Sequence, residues 1–233
     1  MLKSYKQQSL FPECSMPVTS NEKQHSRSGT FTDNMKLPIH RWFRYSAGFS
    51  AKWVEQEIQR HCRDRKKEIN VLDPFAGSGT TLLAAESVQV KAVGFEPHPF
   101  IHRVARAKLG WSADTQKLQG MAGQLITKAK ERVGEKKRSD APLLKKCFTD
   151  DALSKLDALK DVFLADFDNG TAEHELLWLC ITSILRSCST AGTAQWQYVL
   201  PNKKKAKVSD PFVAFSLKIN QLIDDIRIVG KQG

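Results

Sequence analysis

Residues 69–85 read INVLDPFAGSGTTLLAA and predict a strand, a glycine turn and a helix in direct succession. Ile69, Val71 and Leu72 form a short apolar run that suits a buried parallel strand. Residues 90–96 have strand character again. The two strands and the helix between them therefore predict a β-α-β unit of an α/β fold.

The turn between the first strand and the helix is suited to holding an anion. Gly77 and Gly79 allow backbone angles and close approaches that a side chain would block. Thr80 or Thr81 can cap the helix that follows. Because the free N–H groups of the helix N-terminus lie where the strand ends, they form a receptor for a carboxylate or a phosphate. The stretch thus predicts a cofactor site.

The whole chain has room for one substantial α/β domain, or for one domain with a large insertion. It has 233 residues, of which 41% are hydrophobic. Its 36 lysines and arginines against 25 acidic residues give a formal net charge of +11. Such a surface attracts phosphates, although basic charge alone does not identify a nucleic-acid-binding protein.

The cysteine and histidine patterns indicate neither disulfides nor a metal site. The pair His98 and His102 lacks the intervening glutamate of a zinc-protease motif. No apolar run approaches the ~20 residues of a membrane span, and the N-terminus has no secretory or mitochondrial leader pattern. We expect a cytoplasmic protein with no metal and no membrane partner. Its five cysteines, an odd number without a C-x-x-C pair, are expected to be reduced: Cys14, Cys62, Cys147, Cys180 and Cys188.

Composition divides the chain into four predicted regions. Residues 1–36 are polar and rich in Ser, Thr, Asn and Gln, which predicts a flexible arm. Residues 37–111 hold an aromatic segment and the β-α-β unit, and they form the predicted α/β core. Residues 112–210 have helical periodicity and predict a helical insertion, and residues 211–233 predict a C-terminal helix.

Two segments outside the β-α-β unit are open to functional interpretation. Residues 193–200 predict a strand or an extended loop, and the following Pro201–Lys207 contains four lysines in five residues. The lysine-rich stretch is either a solvated loop or a loop that contacts phosphates.

The aromatic segment ahead of the first strand supplies two candidate ligand contacts. Ser50 can cap a helix that begins at Ala51, and Phe49 lies beside it at the turn. Phe43 and Trp53 are better interpreted as core packing. Phe49 and Ser50 are therefore the members of this segment expected to touch a ligand.

Glu96 is the strongest single ligand candidate. It ends the second predicted strand and lies 23 residues after Asp73. In a nucleotide-binding β-α-β unit a carboxylate about 20 residues on accepts hydrogen bonds from ribose hydroxyls. The following residues, from Pro97 to Phe100, form a stiff turn that can lay apolar surface against a purine.

Two common cofactor classes fit the glycine turn poorly. A phosphate-binding loop of the NTPase type needs a lysine after its last glycine, where this chain has Thr80. A dinucleotide fold places a third glycine where this chain has Leu82. The remaining interpretation is a cofactor with a carboxylate and an ammonium at one end and a ribose with adenine at the other.

Residues 73–81, DPFAGSGTT, resemble the S-adenosylmethionine-binding motif of the DNA amino-methyltransferases, which methylate adenine N6 or cytosine N4. Residues 94–99 look like the second motif of that family, and residues 42–53 resemble the segment ahead of the first. The resemblance covers residues 37–110. It implies a partial Rossmann-like methyltransferase fold with a helical insertion, DNA as partner and a role in restriction-modification.

The resemblance also implies a role for each matching residue. Asp73 would orient the methionine end of the cofactor and Thr80 would meet its carboxylate. Glu96 would hold the ribose hydroxyls, and Pro97 would flank the adenine. The full set implied to bind S-adenosylmethionine is Phe49, Ser50, Asp73, Phe75, Gly77, Gly79, Thr80, Glu96 and Pro97.

The catalytic tetrapeptide of the family, Asp- or Ser-Pro-Pro-aromatic, is not found. The nearest string places Asp210, Pro211 and Phe212 together with one proline only, so these are weak catalytic candidates. We therefore expect either half an enzyme completed by a second polypeptide or a truncated product. Two further readings stay open, a non-catalytic nucleic-acid- or partner-binding protein and an RNA methyltransferase.

Overall fold

The β-α-β unit expected from the sequence is present in a computed structural model of the chain, which describes residues 31–45, 47–64, 69–134, 141–167, 170–192 and 204–230. Strands β1 (Asn70–Asp73) and β2 (Lys91–Gly94) pair in parallel. Two 3-10 helices come first, Phe31–Lys36 and His40–Trp42. The α-helices are α1 (Ala51–Asp64), α2 (Thr80–Ser87), α3 (Pro99–Leu109), α4 (Thr115–Glu131), α5 (Pro142–Cys147), α6 (Asp150–Asp166), α7 (Ala172–Cys188) and α8 (Pro211–Gly230).

One face of the two-stranded sheet packs against α1 and α2. Val71 and Ala92 lie against the buried Val54, Ile58 and Ala84. Side chains alternate along a strand, so the next residues point to the other side. This alternation buries one face of the unit.

The opposite face of the sheet is exposed. Leu72 is 64% exposed, Val93 58% and Phe95 62%. The expectation of a strand buried on both sides is therefore wrong for Leu72 in the described structure. A parallel sheet is normally covered on both faces, and here only one face is covered by described residues.

The remaining helices form one helical body with the largest core of the molecule. α8 packs against α7 and α4, and buried members of this core include Leu125, Leu179 and Phe215. Among the described residues, the segment 112–210 is helical apart from its turns and short connections. α8 shares this core.

A buried carboxylate ties the chain ahead of α1 to α8. Asp225 accepts hydrogen bonds from the indole N–H of Trp42 at 2.9 Å and from the guanidinium Nε of Arg41 at 2.9 Å. Asp225 is fully buried, and charge-assisted bonds of this kind compensate the loss of hydration. The 3-10 helix at 40–42 is thereby fixed on the helical body.

Two sequence expectations need correction in this region. The six residues 31–36, expected in the flexible arm, form a 3-10 helix in which Phe31 and Asn34 are buried. They are held because Phe31 packs on Gly48, where an added Cβ would lie 2.8 Å from the ring. Trp53, expected in the core, is 46% exposed on α1.

Other expectations fall on residues outside the described ranges. These are the greater part of the arm (1–30), the segment 193–200 and the first three residues of the lysine-rich stretch. Within the described ranges no helix has the length and apolarity that a bilayer crossing requires. The same residues contain no group of three or more His, Cys, Asp or Glu side chains placed to hold a metal ion.

The observed architecture is mostly helical with a small parallel sheet, which agrees with the α/β class expected from the sequence.

Candidate cofactor site

A cavity of about 270 Å³ lies at the carboxyl ends of β1 and β2. This is the position at which open α/β sheets bind their ligands. Six residues expected from the sequence line it: Phe49, Phe75, Gly77, Thr80, Glu96 and Pro97. Its other lining residues are Tyr45, Ala47, Gly48, Ala76 and Ser78. Residues far apart in sequence thus meet at one concave surface.

The glycine turn has the conformation that only glycine adopts without strain. Gly77 has φ +52° and Gly79 has φ +84°. A Cβ on Gly77 would lie 3.0 Å from the ring of Tyr45, and one on Gly79 would lie 3.3 Å from Ala105. Gly77 therefore keeps space beside the cavity, whereas Gly79 allows α2 to approach α3.

α2 begins at Thr80 without a side-chain cap. Its N-cap residue is Gly79 in the left-handed conformation, so the expected threonine cap is absent at this helix. Thr80 is buried. Since no side chain caps the first turn, its N–H groups are free to donate hydrogen bonds to an anionic group, and the helix dipole favours the negative charge.

One carboxylate oxygen of Asp73 is buried and receives no hydrogen bond from a described residue. Its Oδ1 accepts a hydrogen bond from the Phe75 N–H at 2.9 Å. Its Oδ2 is buried, and no described residue donates to it. The Oγ of Ser78 is buried and unpartnered in the same sense. Ser78 lines the cavity, whereas the predicted Ser50, Asp73 and Gly79 are not among its lining residues. An unpaired buried polar atom costs about 1–3 kcal/mol, so the free oxygens of Asp73 and Ser78 are suited to receive a polar ligand group.

Glu96 is held by the backbone on both oxygens. Oε2 accepts from the Gly77 N–H at 3.0 Å, and Oε1 accepts from the His98 N–H at 2.9 Å. A carboxylate has about four acceptor positions, so lone pairs remain for hydroxyl donors. Glu96 therefore joins the end of β2 to the glycine turn while still facing the cavity.

The wall opposite the glycine turn is positioned by a residue that sequence reasoning missed. The side-chain amide of Asn34 donates to the Phe49 carbonyl at 2.8 Å, and its Oδ1 accepts from the Ala51 N–H at 2.9 Å. Ser50 is buried behind this wall, and its Oγ accepts from the Trp53 N–H at 3.4 Å as the predicted helix cap. Asn34 lies 15 residues before Phe49, and no local pattern marks that contact.

Tyr45 is the second residue that sequence reasoning did not single out. Its ring lines the cavity beside Gly77 and forms part of the aromatic wall with Phe49. The only signal in the sequence was its place in the aromatic segment ahead of α1.

The weak catalytic candidates lie elsewhere. Asp210 caps α8, where its Oδ1 accepts from the N–H groups of Phe212 at 2.9 Å and Val213 at 3.1 Å. Asp210 also pairs with Lys155 at 2.7 Å, and Pro211 is the buried first residue of α8. None of Asp210, Pro211 and Phe212 lines the cavity.

Comparison with known proteins places this region in a family. A family model described as DNA methylase matches residues 4–107. The chain is 33% identical over 85 residues to the type II methyltransferase M.BsoBI of Geobacillus stearothermophilus, a match that covers 36% of this chain and 16% of the relative. The chain is 39% identical over 70 residues to the type II methyltransferase M.AvaI of Nostoc sp., a match that covers 30% of this chain and 14% of the relative.

A shorter match has a higher identity. It is 51% identical over 45 residues to the type II methyltransferase M.HindIII of Haemophilus influenzae and covers 19% of this chain and 15% of the relative. The matched segments thus span 14–16% of the length of these three relatives. No solved structure matches the chain. The match to the DNA methylase family model spans residues 4–107, which include every residue that lines the cavity.

Proposed function

We propose that this chain binds S-adenosylmethionine in the cavity at the ends of β1 and β2. The observation that carries the proposal is the buried, unpartnered Oδ2 of Asp73, close in sequence to a helix N-terminus that no side chain caps. The carboxylate oxygen of Asp73 suits an ammonium group, and the N-terminus of α2 suits a carboxylate. An amino acid end needs both.

The other end of the cavity suits a nucleoside. Glu96 keeps acceptor positions for the two hydroxyls of a ribose. Phe49, Tyr45 and Pro97 provide apolar surface against which a purine can pack. When bound, S-adenosylmethionine supplies an electrophilic methyl group on a sulfonium.

We propose further that the chain is the cofactor-binding portion of a DNA methyltransferase of a restriction-modification system, acting on cytosine N4 or adenine N6. The match of residues 4–107 to the DNA methylase family model supports a methyl-transfer role. Base methylation within a duplex requires extrusion of the base into a pocket beside the methyl donor. The residues expected to hold that base in this family, an Asp- or Ser-Pro-Pro-aromatic string, are absent from the 233 residues, which contain no two adjacent prolines.

A second polypeptide segment is the proposed source of the base-holding residues. The exposed face formed by Leu72, Val93 and Phe95 supports this, because a parallel sheet needs a layer on each side. The cavity is also slightly smaller than the ~300–1,000 Å³ typical of small-molecule sites, which fits a pocket with a wall still to be added.

Titration calorimetry with S-adenosylmethionine tests the cofactor proposal. Wild-type protein should bind, and Glu96→Ala should bind about 10- to 100-fold more weakly, because hydrogen bonds to a charged group contribute about 1.5–3 kcal/mol. Glu131→Ala, at an exposed position on α4, is the matched control and should bind as wild type. No heat with wild-type protein, or equal affinity for all three proteins, would refute the proposal.

A separate assay tests the methyl-transfer proposal. The chain alone should transfer no radiolabelled methyl group to DNA and should do so when mixed with a partner polypeptide that carries the base-holding string. Methylation of DNA by the chain alone would contradict the half-enzyme proposal, and labelling of RNA would assign the other substrate.

A further inference from the structure

Six cationic side chains from three elements meet at the edge of the helical body where α5 and α7 end. We call this surface the basic edge, and we propose that it binds the phosphate backbone of duplex DNA outside the cofactor cavity. The inference rests on the proposed function for the choice of DNA. Its members are Lys145 and Lys146 on α5, Arg186 on α7, and Lys204, Lys205 and Lys207 on the segment ahead of α8.

Hydrogen bonds hold the ends of α5 and α7 together. The carbonyl oxygen of Cys147, the last residue of α5, accepts from the Thr190 N–H at 2.7 Å and from the Thr190 hydroxyl at 3.0 Å. It also accepts from the hydroxyl of Ser189 at 2.8 Å. The cations of the last turns of the two helices are therefore brought to one place by a rigid junction.

The lysine-rich segment is anchored on the same junction. The Lys205 N–H donates to the Thr190 carbonyl at 2.9 Å, and Lys204 forms an antiparallel bridge with Ala191. The Lys205 ammonium donates to the carbonyl oxygen of Arg186. The backbone that presents these lysines is thus positioned before any partner binds.

Lys205 and Arg186 place two like charges close together at this edge. The pKa of Lys205 is lowered, first by burial and then by the charge of Arg186. Side chains of Lys145, Lys146, Lys204 and Lys207 are exposed. Concentrated positive charge of this kind opposes folding and attracts polyanions, which is the electrostatic pattern of a nucleic-acid contact.

The helix dipole explains only part of the arrangement. Cations in the last turn of a helix are stabilising, which accounts for Arg186 and for the two lysines of α5. Lys204 and Lys207 lie in no helix. The nearby carboxylate of Asp210 forms its ion pair with Lys155, at 2.7 Å, and Lys155 is not a member of the basic edge.

The position of the basic edge relative to the cavity fits a duplex. α3 starts two residues after Pro97 of the cavity, and its Arg103 pairs with Glu175 in the first turn of α7 at 2.8 Å. From Glu175 to Arg186 the helix rises about 16 Å. That distance corresponds to about five steps along a DNA strand at ~3.4 Å each. The basic edge therefore lies at the far end of α7 from the Arg103–Glu175 ion pair, outside the cavity lining.

Fluorescence anisotropy with a labelled 20-base-pair duplex tests the proposal. The double variant Lys204→Ala/Lys207→Ala should bind about 5- to 20-fold more weakly than wild type at ~100 mM salt, and the slope of log K against log salt should fall by up to ~1.8. The matched control, Lys52→Ala/Lys130→Ala, removes two exposed lysines from α1 and α4 and should keep most of the affinity. Equal losses in the two variants, or no loss in either, would overturn it.

Calorimetry and an RNA duplex separate this inference from the cofactor proposal. Both double variants should keep the wild-type affinity for S-adenosylmethionine and the wild-type circular dichroism. DNA binding that depends on Lys204 and Lys207 in a chain that fails to bind the cofactor would sustain the basic edge and refute only the cofactor site. Tighter binding of duplex RNA than of DNA would keep the phosphate contact but overturn the assignment to DNA.

Discussion

The backbone N–H of Gly77 donates a hydrogen bond to Oε2 of Glu96 at 3.0 Å. This contact joins the glycine turn after β1 to the end of β2, so the cavity depends on a side chain that is also the proposed ribose acceptor. A ligand can use only the lone pairs that the two backbone N–H groups leave. The shape of the turn and the affinity for a nucleoside are therefore coupled through one carboxylate.

This coupling predicts that the affinity of Glu96→Gln for S-adenosylmethionine lies between the affinities of wild type and Glu96→Ala. The amide oxygen can still accept from one backbone N–H, but the amide nitrogen cannot accept and the negative charge is lost. We expect S-adenosylmethionine to bind Glu96→Gln about 3- to 10-fold more weakly than wild type in calorimetry, as for one weakened charged hydrogen bond. Equal affinity of Glu96→Gln and Glu96→Ala would show that charge, and not the contact to Gly77, is decisive.

Gly77→Ala should destabilise the turn. The residue has φ +52°, and the new Cβ would lie 3.0 Å from the ring of Tyr45. We expect a loss of about 1–2 kcal/mol in the free energy of unfolding by urea and weaker cofactor binding. Adding Tyr45→Ala should remove the part of this loss that comes from the clash with the ring and leave the part that comes from backbone strain. A double-mutant cycle therefore separates the two contributions.

A glycine elsewhere is the control for this experiment. Gly120 lies inside α4 with no atom within 4 Å of an added Cβ. Gly120→Ala should therefore stabilise the chain by about 0.5–1 kcal/mol, because alanine is the better helix former. A similar loss for both glycine variants would argue against a special conformation at Gly77.

Local sequence signals anticipated several residues that line the cavity, because these residues are close in sequence or regularly spaced. Gly77, Gly79 and the acid at Glu96 follow from the order of a β-α-β unit, which fixes them at the ends of neighbouring strands. The capping of α1 by Ser50 also followed from adjacent residues. The missing cap of α2 could not be foreseen, since the left-handed Gly79 takes the N-cap position itself.

Contacts between distant segments could not be read from the sequence. Asn34 looks like any polar residue of a flexible arm until its two hydrogen bonds to Phe49 and Ala51 are seen. Leu72 looks like a core residue of a strand, but its exposure depends on which layer covers the sheet. The contacts of Asn34 and the exposure of Leu72 depend on how distant segments pack together, and the periodicity of a single segment does not report that packing.

Asn34→Ala should cost stability and loosen the wall of the cavity. Both side-chain hydrogen bonds are lost, and the Ala51 N–H at the start of α1 loses its partner. We expect the free energy of unfolding by urea to fall by about 2–3 kcal/mol. Asn220→Ala, at an exposed position on α8, should change it by less than ~0.5 kcal/mol. A change at Asn34 as small as at Asn220 would contradict the anchoring role.

Lys108 should make the protein more stable as the pH rises. It is fully buried, and no described residue accepts a hydrogen bond from its ammonium. Burial, and then the charge of Lys218, lowers its pKa from the ordinary 10.5 to about 7. The unfolded chain therefore binds more protons than the folded one between these values, so the free energy of unfolding rises from pH 7 toward 10.5.

The substitution Lys108→Met tests the predicted rise of the free energy of unfolding with pH. Methionine fills similar space without a charge, so the variant should be more stable than wild type by several kcal/mol at pH 7. The difference between the two proteins should shrink as the pH is raised to 9.5, which urea unfolding at each pH measures. Lys52→Met, at an exposed site, should show no such trend. A constant difference at all pH values would refute the titration of Lys108.

The exposed face of the sheet predicts an unusual tolerance of polar substitution. Leu72 is 64% exposed and Val93 58%, although both lie in strands of a parallel sheet. Replacing both with threonine keeps a β-branched residue at Val93 and introduces one at Leu72, so strand propensity is retained. If no other layer covers this face in the chain, the free energy of unfolding should change by less than ~0.5 kcal/mol per site. Binding of the apolar dye ANS should decrease, because less apolar surface is accessible.

The contrast with the covered face makes this prediction decisive. Val71→Thr, on the side that packs against α1 and α2, buries a hydroxyl without a designed partner and should cost about 1–3 kcal/mol. A comparable loss for the Leu72 and Val93 variant would show that the face is covered within the chain itself. Tolerance at Leu72 and Val93 together with loss at Val71 would instead show an uncovered apolar face, on which the proposed second polypeptide can pack a helix as the missing layer.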